Sequence, residues 1–238
     1  MKPLGYAGDH TMQADFWARS EFGEGLARAF DRYFQKQQAV EAVRGRMRLT
    51  ADAIVERCTS SPSQEFRVAS IVSGPGIDLA LAAEALPPEQ RRRLRLTLID
   101  IDEGALAAAR ERLLPQLPEE SIRTCRENVA RLAHGRRGSE LLHESDFVVC
   151  PGLFDYLADA EAAAMLRLFA AALRPGGIFY VGNFAPHCTS RAYMEWIGNW
   201  YLIYRTAEEL QALSQAADLE PAATRITSEP TGRLISRL

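Results

Sequence analysis

Apolar positions recur at helical spacing through the first quarter of the chain and change to strand spacing near residue 65. Over residues 11–60, Phe16, Trp17, Leu26, Phe30, Tyr33 and Phe34 supply the first apolar side, and Gly23 and Gly25 predict a break in it. A second helix is predicted over 37–57, carrying Val40, Val43, Met47, Ile54 and Val55, with a loop over 59–63. Strands then alternate with helices. Strands are predicted over 66–73, 94–100, 121–128, 146–150 and 178–183, and helices over 78–86, 103–114 and 159–173. Pro87-Pro88, Pro115 and Arg174-Pro175-Gly176-Gly177 are the stop signals between them. The tail changes again: an aromatic-rich helix over 191–204, a capping box at Thr206–Glu209, and two strands over 222–228 and 233–238 around a Glu229-Pro230-Thr231-Gly232 turn.

This order predicts an α/β protein: a Rossmann-like, seven-stranded mixed sheet, mostly parallel, closed by an antiparallel C-terminal hairpin. Residues 1–60 form a helical N-terminal cap and lid, and 61–238 the sheet domain.

Composition narrows the function classes. The chain has 238 residues, 47% hydrophobic and 25% charged, enough for a substantial core without metals or disulfides. Its net charge of −3 gives no global field for nucleic acid, so the expected partner is a small molecule. The Arg91-Arg92-Arg93 and Arg136-Arg137 runs read as solvated faces. Cys58, Cys125, Cys150 and Cys188 share no C-x-x-C spacing, so no metal site is expected. Buried, reduced cysteines and the lack of an apolar signal core point to the cytoplasm, and no stretch is apolar enough to span a membrane.

In an open parallel sheet, ligands bind beyond the carboxyl ends of the strands. The first strand ends in Ser73-Gly74-Pro75-Gly76-Ile77-Asp78, where glycine lets backbone approach a ligand and the next helix offers free amides. The second ends in Asp100-Ile101-Asp102. Asp100 can accept hydrogen bonds from both hydroxyls of a ribose or cap the following helix, and Asp102 is the better placed for the cap.

Together these residues resemble the class I S-adenosylmethionine-dependent methyltransferases. The resemblance runs from Phe66 to Leu238. It rests on the glycine turn, Asp100, Asn128-Val129 after the third strand, DFVVC as the fourth, LRPGG before the fifth, and the terminal hairpin. GYAGD (5–9), AVRGRM (42–47), GLFDYL (152–157) and MEWIGNWYLIYRTAEEL (194–210) are similar to a bacterial branch that includes makers of 3-hydroxy fatty acid methyl ester signals. The resemblance implies S-adenosylmethionine as cofactor, held by Ser73, Gly74, Pro75, Gly76, Asp100, Ile101, Asn128, Val129, Pro151, Gly152 and Phe154. Two departures stand out: in the turn, Ser70 occupies the usual acidic position on strand one and Val72 replaces the first glycine, and His10 stands where the branch often has an aromatic residue. Asp78 is then a candidate for the methionine amino group.

The candidate chemistry follows. A carboxylate acceptor needs no strong base, whereas a hydroxyl or amine does, and His10 is the nominee, with Tyr6 and Asp9 beside it on a lid. Asp155 and Asn183 end strands four and five, either beside the reacting group or as cap and turn residues. Tyr156, Trp196, Trp200 and Tyr204 either pack the core or face the sulfonium. Arg44 and Arg205 either pair with a substrate carboxylate or lie in solvent. Methyl transfer to a small carboxylate, hydroxyl or amine is the first expectation. Cyclisation of the cofactor to azetidine-2-carboxylate with release of methylthioadenosine is an alternative, and a non-catalytic binding protein on a degenerate fold is a third.

Overall fold

A computed structural model describes residues 8–132, 136–220, 225–229, 231 and 233–237. Three helices come first: α1 (His10–Ala18), α2 (Leu26–Gln35) and α3 (Gln38–Ser60). The sheet domain continues with β1 (Phe66–Ile71), α4 (Ile77–Ala85), a short α5 (Pro88–Arg91), β2 (Leu94–Asp100), α6 (Glu103–Leu113) and β3 (Ile122–Arg126). It is completed by α7 (Val129–Leu132), α8 (Arg136–Leu142), β4 (Ser145–Cys150), α9 (Asp159–Ala172), β5 (Leu173–Phe184), α10 (Arg191–Trp196), α11 (Ala207–Ala216), β6 (Arg225–Glu229) and β7 (Arg233–Arg237).

Five parallel strands in the order β3-β2-β1-β4-β5 make the body of the sheet. β7 and β6 run antiparallel along the β5 edge. Strand order reverses between β1 and β4, where an α/β sheet opens its binding crevice.

Side-chain alternation builds two cores. Phe147 and Val149 of β4 face one helical layer with α4 and α6, while Val148 and Cys150 face the other with α9 and α11. All of β4 is buried, as a central strand covered on both faces must be. A third cluster packs Met12 and Phe16 of α1 and Val40, Val43 and Met47 of α3 against Ile77, Phe184 and Trp200. α3 therefore serves two cores, its first half the cap and its second half, through Ala53, Ile54 and Cys58, the sheet.

Several elements differ from the periodicity for local reasons. β1 stops at Ile71 because Val72 takes a left-handed backbone, with φ of 53°. α3 runs three residues past its expected end. The Arg93 guanidinium donates to the Cys58, Ser61 and Ser63 carbonyls and fixes the helix exit, so this member of the arginine run is a brace rather than a solvated charge. LRPGG lies within β5 as an irregularity: register passes from Ser145↔Leu173 to Phe147↔Ile178, with Gly176 left-handed between. The aromatic helix ends early, at Trp196, and the chain then runs non-helically past Asn199 (φ 45°) to the β5 tip, where the Arg205 amide donates to the Phe184 carbonyl. The Thr206 capping box forms as read, the Thr206 and Glu209 side chains each accepting the other's backbone amide. Among the described residues no helix is long and apolar enough to cross a membrane.

Candidate functional site

A cavity of about 640 Å³ opens at the reversal point, beneath α1. Its floor is Val72, Ser73 and Pro75 after β1, with Pro151 and Gly152 after β4. Arg46 and Met47 of α3 and Ile77 and Asp78 of α4 form one wall, and Tyr156, Trp200 and Tyr201 the other. Gly8 and Gln13 lie over it. The volume falls in the roughly 300–1,000 Å³ range of small-molecule sites.

The turn after β1 keeps a repeated left-handed backbone at Val72 (φ 53°), Gly74 (φ 53°) and Gly76 (φ 62°). The first of these falls on a β-branched residue, a strained choice of the kind that concentrates at functional sites. At Gly76 a Cβ would lie 2.9 Å from that of Ala109, so glycine lets α4 and α6 approach. Asp100 locks the turn: one carboxylate oxygen accepts the Gly74 amide at 3.0 Å and the other the Asp102 amide at 3.1 Å. Burial pushes its carboxyl above the usual range, against the pull of those amides.

Asp102 caps α6 through the Gly104 amide and accepts the His10 Nδ1 proton at 2.9 Å. Burial raises its pKa, but the Gly104 amide and His10 outweigh that and hold it below the usual value. α1 is thus fastened across the ends of β1 and β2. Gln13 donates to the Gly8 carbonyl at 2.9 Å and would touch any side chain at position 74.

The structure gathers Ser73, Pro75, Asp78, Pro151, Gly152, Tyr156 and Trp200 of the expected residues around one cavity. Tyr156 Oη accepts the Trp200 indole N–H at 2.7 Å, which fixes both rings. Asp100, Ile101, Asn128 and Val129 sit along the ends of β2 and β3, outside that lining. Ile101 is exposed, and Val129 starts α7 with its side chain in the core. Phe154 is a core residue packed against Phe169, the two rings tilted at 47°.

Other candidates are structural. Arg44 is buried in the cap, donating to the Phe16 and Gln35 carbonyls, to Glu41 and to the Gln35 side chain. Arg205 is buried and donates to the Phe154 and Leu157 carbonyls, Asn183 and Asp159. The Asn183 amide donates to the Phe184 and Ile203 carbonyls. Asp155 accepts the Phe184 amide at 2.6 Å and borders a small adjoining crevice of about 30 Å³. Tyr204 stacks under Arg191 and packs on Phe184, and burial pushes its hydroxyl up to about 12. Trp196 is 86% exposed, because α10 ends there and turns it outward. His10 is held by Asp102, and Asp9 caps α1 through the Met12 amide. Tyr6 lies outside the described residues.

Sequence reasoning missed Gln13, Arg46, Met47 and Tyr201. Arg46 carried a usable signal. It is a second arginine on a helix whose neighbours Ala42, Val43 and Met47 are apolar, and a charge on such a face is retained for a purpose.

Known proteins share the fold that holds this cavity. Residues 70–179 match the family described as methyltransferase domain. A protein of Bordetella parapertussis described as a possible exported protein has the same fold, with 19% identity, a TM-score of 0.71, and 96% of this chain covering 79% of that one. Magnesium protoporphyrin IX methyltransferase from Synechocystis PCC 6803, solved with bound S-adenosylhomocysteine, matches at 17% identity and a TM-score of 0.61, with 96% and 94% of the two chains covered. An O-methyltransferase family protein from Burkholderia thailandensis matches at 16% identity and a TM-score of 0.55, over 96% and 69%. No curated protein is similar enough in sequence to match. The fold is thus the Rossmann-like fold of S-adenosylmethionine-dependent methyltransferases. Residues 70–179 thus match a methyltransferase domain, set in a fold shared with these solved structures.

Proposed function

We propose that the protein is an S-adenosylmethionine-dependent methyltransferase of the bacterial branch it resembles, acting on a small carboxylate, hydroxyl or amine. In this reading residues 1–60 cap a cofactor domain of residues 61–238. The observation that carries it is the cavity at the β1/β4 reversal point, whose floor lies in the matched segment.

The residues fit the cofactor. Ser73 Oγ is buried in the cavity wall without a hydrogen-bond partner, as a ligand-facing hydroxyl would be. Gly152 lies in the cavity lining, and Gly74 forms the left-handed turn between the lining residues Ser73 and Pro75. Asp100 would take the ribose hydroxyls, with Ile101, Asn128 and Val129 bordering the base. When bound, S-adenosylmethionine supplies a methyl group on a positively charged sulfur. The chain's own part is to orient the acceptor, exclude water and favour positive charge. Trp200 and Tyr156, fixed by their hydrogen bond, present aromatic faces suited to a cation.

Among the described residues that line the cavity there is no histidine, and a carboxylate, already anionic at neutral pH, asks least of such a site. Cyclisation of the cofactor gains no support, since His10 and Asp9 are engaged elsewhere.

The test is incubation of pure protein with S-adenosylmethionine, alone and with a panel of carboxylic, phenolic and amine acceptors, followed by mass spectrometry. The reading expects S-adenosylhomocysteine only when an acceptor is present. Methylthioadenosine with azetidine-2-carboxylate from the cofactor alone would overturn it.

A further inference from the structure

We propose that Arg46 and Asp78 form a receptor for a zwitterionic α-amino acid group, Arg46 taking the carboxylate and Asp78 the ammonium of the cofactor's methionine end. This rests on the reading of the cavity as the S-adenosylmethionine site.

Both side chains line the cavity and both are nearly buried, at 6% and 7% exposure. They come from different elements: Arg46 from the middle of α3 and Asp78 from the first turn of α4. A buried charge is destabilising unless it meets an opposite charge and hydrogen bonds. Here the two signs face one space. A zwitterion brings an opposite charge to each of the two lining groups, whereas a simple carboxylate matches only the cation and a neutral nucleoside matches neither.

The geometry around each charge is built rather than incidental. Arg46 Nη1 donates to the Pro151 carbonyl at 3.1 Å, which anchors the guanidinium at the β4 exit. Position 152 is glycine, where a Cβ would lie 3.0 Å from the same nitrogen, so glycine leaves the guanidinium its room. Asp78 Oδ1 accepts the Leu79 amide at 3.0 Å, which fixes the carboxylate. The unpartnered Ser73 hydroxyl lines the same cavity and adds a polar group. Strand β1 offers no acid of its own: position 70 is a buried serine. Asp78 supplies the negative charge instead.

The experiment compares two ligands by calorimetry: S-adenosylhomocysteine, which carries the amino acid, and 5′-methylthioadenosine, which lacks it. Wild type should prefer the former. Arg46→Met and Asp78→Asn should each weaken S-adenosylhomocysteine by about 10–100-fold, the scale of a lost charge-assisted contact, and change methylthioadenosine by less than about threefold. Arg46→Lys, which keeps the charge but loses the planar fork, should fall between wild type and Arg46→Met. Equal weakening of both ligands would overturn the proposal, as would a wild type that binds both equally. That second outcome leaves the methyltransferase reading standing, whereas binding of neither ligand would remove both. Should Arg46→Met fail to fold, Arg46→Lys and the wild-type comparison still decide.

Discussion

Asp100 and Gly74 are joined by a hydrogen bond of 3.0 Å from the Gly74 amide to the Asp100 carboxylate, tying the tip of β2 to the turn after β1. The other carboxylate oxygen holds the Asp102 amide. The carboxylate thus shapes the glycine turn before any ligand arrives. Asp100→Ala should therefore destabilise the free protein by roughly 2–4 kcal/mol, because a charge-assisted bond is lost and buried amides go unsatisfied. Urea unfolding measures this. A residue serving only ribose would leave the unliganded midpoint unchanged, and that result would refute the bracing role.

His10 is fastened to Asp102, away from the cavity wall. His10→Gln should keep turnover within about threefold of wild type, whereas loss of a general base typically costs ~10²–10⁴-fold. The same substitution should speed proteolysis of the segment before α2, since α1 loses its tie to α6. A hundredfold fall in kcat at an unchanged cleavage rate would restore His10 as the base.

Asp78 gives a pH dependence of defined sign. Burial raises its carboxyl above the ordinary value of 3.8, with the Arg46 charge opposing the shift in part. The native state then binds the proton more tightly than the unfolded chain. The contribution of Asp78 to stability falls as pH rises from that ordinary value through the raised folded one. Asp78→Asn, which does not ionise, should melt higher than wild type near pH 7, and the gap should close toward pH 4. Melting temperatures across that range check it, and a gap that widens on acidification would contradict it.

Arg44 is a brace of the cap. Arg44→Met should lower stability by about 3–5 kcal/mol, the usual effect of breaking a buried charged network, and lysine should rescue little of it because the planar fork is lost. A variant of normal stability but raised KM for the acceptor would return Arg44 to the substrate site.

Much of this was legible in the sequence, and the failures have a common cause. The strand–helix alternation of β1 to β5 is carried by local period and by stop signals, so LTLID and DFVVC fall where the periodicity puts them. The floor of the cavity was legible for the same reason: Ser73, Pro75, Pro151 and Gly152 are fixed by following the strand ends. The walls were not. Which arginine of AVRGRM faces the cavity depends on how α3 rotates against the cap, and Arg44 turned inward while Arg46 turned to the site. The aromatics of 193–204 share a helical spacing, but the helix stops at Trp196, so only Trp200 and Tyr201 reach the cavity. Asn183 and Arg205, 22 residues apart, find each other only once β5 and the following segment have docked.

Calorimetric titration of the purified chain with S-adenosylmethionine tests the central claim most directly. One binding site per chain is expected, with affinity reduced when Gly152→Leu crowds the cavity beside Arg46. Absence of binding by the wild-type chain, or binding that Gly152→Leu leaves untouched, would contradict the placement of the cofactor at the carboxyl ends of β1 and β4.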